Sequence, residues 1–187
     1  MEIELPVIEG GMEIGKFNID TGEIYPSETV LVDWNCCMDG DCCQRFHIPV
    51  TDFDIQRIET HGYELDQIIS DEPSFVRMPK NRFGSLEKNY PIKRKPFTNG
   101  CTFLTPEGLC GIHEFRPFGC RIFPFQYRFE DESMVRVTVH ESNYCHNLEG
   151  VNQEDAKNRE FLEYLLDQLR LELNRREEYF SKYGDEI

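Results

Sequence analysis

The stretch W-N-C-C-M-D-G-D-C-C-Q-R-F at 34–46 places four of the chain's eight cysteines within eight residues, as two vicinal pairs. Any fold must bring these soft, ionisable thiols together and give them a purpose. An even cysteine count raises disulfides first. Bridging sequence neighbours strains the intervening peptide, so Cys36–Cys37 and Cys42–Cys43 are disfavoured as pairs. The acidic opening M-E-I-E-L-P has neither the basic nor the apolar region of an export signal. A cytoplasmic location is expected, where thiols stay reduced. Cys37 or Cys145 alone would suit an ordinary buried cysteine, but the tight group as a whole would not.

The remaining cysteines are Cys101, Cys110, Cys120 and Cys145. Glycine precedes Cys101, follows Cys110, precedes Cys120 and stands two before Cys42. Such glycines allow positive φ and let backbone N–H groups approach sulfur. A cluster of thiolates needs compensating positive charge. Arg116 and Arg121 flank Cys120 and are well placed in sequence to supply it, with Arg45 beside the first group. Pro117 and Pro124 stiffen the turns around Cys120.

The chain around these residues reads as small and mixed α+β, a single domain over 1–187. M-E-I-E-L and V-L-V-D predict short strands, while the glycines at 10–15 predict turns. Thr51 and Asp54 predict the cap of a short helix over roughly 52–61, stopped by Gly62, and a second follows around Leu65 to Ile69. F-Q-Y-R-F and V-R-V-T-V alternate with period two on either side of E-D-E-S, which predicts a β-hairpin over 125–141. Leu162, Leu165, Leu166, Leu169, Leu173 and Phe180 recur near helical spacing, predicting a long amphipathic helix over 152–182. Residues 77–95 are locally basic and read as a solvated loop. The net charge of -15 disfavours nucleic acid and anionic membranes, and no apolar run is long enough to span a bilayer.

C-C-M-D-G-D-C-C, then I-P-V-T-D-F-D-I-Q-R-I, then G-C-T-F-L and C-G-I-H-E-F-R-P-F-G-C-R-I-F-P-F, resembles the CxxCxxCC cysteine-cluster family, also called the YkgJ type. The resemblance covers roughly 34–146. It implies a zinc- or iron-chelating core and a relationship to a flagellin lysine N-methylase. It implies metal ligation by Cys36, Cys42 and Cys43 as the first, third and fourth cysteines of the motif. It carries the middle set onto Cys101, Cys110 and Cys120, and the last onto Cys145. Asp39 stands where the second cysteine belongs, and Cys37 is extra. Either Asp39 ligates through oxygen, or Cys37 substitutes, or the site has one ligand fewer.

Thiolate-rich sites select zinc, copper(I) or iron–sulfur clusters. The second half of the chain has no CxxC pair of the kind structural zinc usually takes, and clusters accept scattered thiolates. An iron–sulfur cluster, with 4Fe-4S as one form, is therefore preferred over zinc. His113 reads as a packing or hydrogen-bonding group beside the site. Three functions remain: a redox or metal-handling protein with an unnamed protein or redox partner, a lysine N-methylase-like enzyme, and a structural zinc protein serving as an interaction module.

Overall fold

A computed structural model describes residues 11–34, 38–46, 48–70, 74–77, 86–139, 148–150 and 156–183. It is an α+β arrangement built on two apolar clusters. The first begins with β1 (Met12–Asn18) and β2 (Ile24–Pro26). Short β3 (Val32–Trp34) and the five-residue helix α1 (Asp41–Arg45) follow. Then come β4 (Pro49–Thr51), α2 (Asp52–Glu59) and α3 (Leu65–Ile68). Strands β5 (Ser74–Arg77) and β6 (Leu86–Pro91) precede a 3-10 turn at His113–Phe115 and helix α4 (Phe118–Ile122). The chain closes with β7 (Phe125–Phe129), β8 (Met134–Val139), β9 (Leu148–Gly150) and α5 (Asn158–Tyr183).

Strands β2-β1-β8-β7 form an antiparallel sheet. The V-R-V-T-V alternation does what its period demands: Val135, Val137 and Val139 are buried while Arg136 faces out. The β7–β8 hairpin pairs Phe129 with Val135 and Phe125 with Val139. Helix α5 lays Leu162, Leu165, Leu166, Leu169 and Leu173 on this sheet, completing the first cluster. Buried Asn158 fixes its start. The side-chain amide donates to the carbonyls of Ile14 at 2.9 Å and Val30 at 2.7 Å, and its oxygen accepts from Val32 N–H at 2.9 Å.

The expected turns at 10–15 give way to strand β1, with a register irregularity between Glu13 and Gly15. Glycine serves close approach here: a Cβ at Gly15 would stand 2.6 Å from both Leu162 Cδ1 and the Tyr25 carbonyl oxygen. The M-E-I-E-L expectation lies outside the described residues.

The second cluster contains Val50, Ile55, Ile58, Ile68, Ile92, Cys101, Phe103 and Ile112. It sits against β4-β6-β5, a second antiparallel sheet, while β3 and β9 pair separately. Helix α2 opens with a reciprocal cap: Thr51 Oγ1 accepts from Asp54 N–H at 3.2 Å, and Asp54 Oδ2 accepts from Thr51 N–H at 3.1 Å. Gly62, at φ 88°, ends that helical run.

A buried polar network joins the two clusters. Fully buried Asp54 accepts from Phe118 N–H at 2.9 Å, at the head of α4, and pairs with Arg57. Arg57 Nη1 lies 3.5 Å from Glu172 of α5, an ion pair without hydrogen-bond geometry. Arg121 of α4 reaches the same buried Glu172 at 2.6 Å and also bonds Gln168. Helix α4 is thereby held between α2 and α5.

Candidate metal centre

Five thiols converge where α1, the 93–112 loop and α4 meet. Cys42 and Cys43 lie on α1, whose first turn begins at Gly40 with φ 72°. A Cβ at Gly40 would fall 2.2 Å from the Gly108 carbonyl oxygen, so glycine lets the first cysteine segment touch the loop carrying Cys101 and Cys110. Cys101 N–H donates to the Cys43 carbonyl at 2.8 Å. The loop folds back on itself through bridges pairing Arg94 with Cys101 and Leu104 with Cys110.

Arg94 is the principal support that sequence reasoning missed. Its Nη1 donates to the carbonyls of Cys43 at 3.0 Å and Phe46 at 2.8 Å, and its Nη2 to Gln44 at 2.8 Å. These are carbonyls that the end of a short helix leaves without partners. Lys93 and Lys95 likewise bond the carbonyls of Asp66 and Leu104. This end of the basic stretch is thus committed to the backbone and is not a merely solvated loop. Most of 77–88 lies outside the described residues or their described side chains.

The sulfur contacts centre on Cys43. Its Sγ is 4.0 Å from that of Cys42, and the thiols of Cys101 and Cys110 also act on it. These interactions, led by that with Cys101, push the Cys43 thiol strongly upward. The same contacts lower the partners. Cys101 is held at about 7 by the Cys43 S–H first, with Phe103 N–H and the Arg94 charge acting in the same direction against burial. Cys110 is held at about 6 by Cys43, then Ile112 N–H and Arg116, again against burial. Cys42 is lowered chiefly by Cys43. One S–H cannot serve three acceptors at once, so the group shares its proton. Burial pushes Cys120 well up, and the charges of Cys42, Cys101, Asp54 and Cys110 add to it.

The backbone N–H groups of Phe103 and Ile112, each two residues after its cysteine, help to lower Cys101 and Cys110. A narrow cavity of about 20 Å³ is lined by Cys42, Cys43, Cys101 and Cys120 together with Arg94 and Phe123. Among the described residues no three His, Cys, Asp or Glu side chains already surround a common ion position. The thiols of Cys42 and Cys43 face each other instead.

The supporting charges differ in part from expectation. Arg116 does lower Cys110. Arg121 turns away to Gln168 and Glu172, and Arg45 pairs with Asp41 at 3.2 Å on the surface. Both corrections have one cause: nearby carboxylates offer these guanidiniums stronger partners than a thiol. Gly100, Gly111 and Gly119 have no positive φ, unlike Gly40 and Gly108. At Gly111 the need is space, since a Cβ would lie 3.2 Å from the Phe103 carbonyl oxygen. His113 Nε2 lies 2.8 Å from Arg116 Nη1. Asp39 Oδ1 accepts from Asp41 N–H at 3.0 Å, and its charge acts on Cys42. Cys36, Cys37 and Cys145 lie outside the described residues.

In the metal-free protein the Cys110 thiol, lowered to about 6, is expected to be largely ionised at pH 7 and to lose its charge as pH falls through about 6. Iodoacetamide labelling at Cys110 is expected to drop about tenfold between pH 7 and pH 5. Cys120 should label slowly throughout, because its thiol is raised. Peptide mass spectrometry reads both sites; equal labelling of the two at pH 7 would contradict this assignment.

A set made wholly of thiols, drawn from three separate segments and supported by N–H donors and arginines, suits a soft or borderline metal. No helix among the described residues is long and apolar enough to cross a membrane. No curated protein and no solved structure matches the chain. The model of the CxxCxxCC family, described as a "Putative zinc- or iron-chelating domain", matches residues 35–148. That stretch contains the five clustered thiols and makes up more than half of the sequence, so the chain belongs to the CxxCxxCC family.

Proposed function

We propose that the protein is a metal-handling protein that binds a single zinc or iron ion through thiolates, with Cys43 at the centre of the ligand set. The observation that carries this reading is the contact spacing of sulfur. Cys42 and Cys43 are 4.0 Å apart at Sγ, and the thiols of Cys101 and Cys110 act on Cys43 from the facing loop. Metal–sulfur bonds of about 2.3 Å in a tetrahedron put ligand sulfurs about 3.8 Å apart. Cys42, Cys43, Cys101 and Cys110 would hold the ion, with Cys120 as a fifth thiol beside it.

The bound ion would supply positive charge and cross-link α1 with the 93–112 loop. The protein's own groups do the rest. Arg94 and Arg116 favour the thiolate forms of Cys101 and Cys110, and the backbone N–H groups of Phe103 and Ile112 act in the same direction. The iron–sulfur cluster is the second reading. Eight cysteines, with Asp39 in addition, exceed the four ligands that one ion takes, and N–H···S bonds are among the groups that tune cluster potentials.

Anaerobic purification followed by metal and acid-labile sulfide analysis tests both. One zinc or iron per chain without sulfide is expected. Sulfide in proportion to iron would replace the single-ion reading with the cluster, and a protein free of transition metal would overturn both.

A further inference from the structure

A second cavity, of about 350 Å³, opens between β3, the 3-10 turn and the first turns of α5. None of the five described cysteines lines it. Its wall is aromatic. Trp34 meets Phe125 and Phe161 edge-on, with ring centroids 5.7 and 5.5 Å apart, and Tyr164 lies 6.2 Å from Phe161.

The charges at its rim are uneven. Lys157 is paired with Asp33 at 2.9 Å, and Glu160 lies on the exposed side of α5. Arg116 is different. The chain has 35 acidic residues against 20 lysines and arginines, yet among the described residues no carboxylate lies within ion-pair distance of Arg116. Its Nη1 is engaged by the ring and carbonyl of His113, at 2.8 and 2.7 Å. Its Nε is buried without an acceptor, and so is the indole N–H of Trp34. Buried donors are normally satisfied, and here two unsatisfied ones belong to residues lining the same cavity.

We infer that this cavity binds a small organic monocarboxylate with a flat apolar body. Its volume falls in the range of about 300–1,000 Å³ usual for ligand pockets. The aromatic wall takes the apolar body, and the Arg116 guanidinium takes the carboxylate. Glu160 at the rim disfavours a second negative charge on the ligand. Apart from Arg116, whose charge also acts on Cys110, the cavity's residues are separate from the thiol centre, and the inference holds whichever metal that centre takes.

Trp34 is the chain's one tryptophan, so its emission reports directly on this cavity. The full-length protein is titrated with phenylacetate and, in parallel, with neutral phenylacetamide. Phenylacetate is expected to give a saturable change and to bind about tenfold more tightly than the amide, the size of one charged hydrogen bond. Arg116→Gln should erase that preference, whereas Tyr164→Ala should weaken both probes alike. If Arg116→Gln does not fold, the wild-type comparison of acid and amide still decides. No saturable change, or equal affinity for acid and amide in the wild type, would overturn the inference, as would inorganic phosphate competing as well as phenylacetate.

Discussion

Replacing Cys43 by serine is expected to strip the protein of its metal. The backbone role of Cys43 survives the change, since its carbonyl accepts from Cys101 N–H and Arg94. What disappears is the sulfur that, among the described residues, interacts with Cys42, Cys101 and Cys110 together. A serine hydroxyl stays protonated at neutral pH and is a hard donor in a soft set. Groups that merely orient metal ligands are worth about 10–100-fold in affinity, so loss of the central ligand should cost more than ~100-fold. Competition against a chelator of known affinity, with metal content per chain, measures it. Full retention of metal by Cys43→Ser would sink the assignment. Cys37→Ser and Asp39→Ala form the companion pair. If only the first loses metal, Cys37 is a ligand in place of one of the four named cysteines; if only the second does, Asp39 is. Chelation of the wild type should also loosen the 93–112 loop, because the ion replaces part of the core there. Faster hydrogen exchange at Cys101, whose N–H bonds the Cys43 carbonyl on α1, and at Gly111, whose N–H bonds the Phe103 carbonyl across the loop, would show it.

The features that could be read from sequence are those fixed by near neighbours. Thr51 and Asp54 are three residues apart, and each supplies what the other's backbone lacks. The β8 alternation and the leucines of α5 state which face is buried. The crowding of Cys42 and Cys43 announces a shared centre before any fold is known. The choice among distant partners could not be read in the same way. Arg121 adjoins Cys120 in sequence but finds Glu172 fifty-one residues on, and Arg94 finds the end of α1 some fifty residues back. With 35 acids available, sequence position does not say which one a given arginine meets. Gly15 failed for a related reason. A glycine required by close approach of Leu162 looks, in sequence, like a glycine that makes a turn.

Asp54→Ala should be the most destabilising single change outside the thiols. The Asp54 carboxylate is fully buried and accepts from four donors: Thr51 N–H, Thr51 Oγ1–H, Phe118 N–H and Arg57. Alanine leaves the Phe118 N–H and the largely buried Arg57 guanidinium without this partner. Breaking a buried pair from one side costs about 3–5 kcal/mol. For a chain of this size that corresponds to a fall in Tm of about 6–20 °C. Lys157→Ala provides the contrast, because Lys157 and Asp33 are 51% and 37% exposed in their pair. Such surface pairs contribute about 0–1 kcal/mol, so its Tm should move by less than about 4 °C. Asp54→Asn should fall between the two: an amide oxygen can still accept from Phe118, but the charge facing Arg57 is gone. The order of the three melts distinguishes a buried carboxylate that organises α2 and α4 from one that is only tolerated there. Equal melts for Asp54→Ala and Lys157→Ala would refute the organising role. The position of Asp54 also explains why a carboxylate sits so near the thiols without serving them as a ligand: Thr51, Phe118 and Arg57 already direct hydrogens at both its oxygens, and the Phe118 bond sets the head of the helix that carries Cys120.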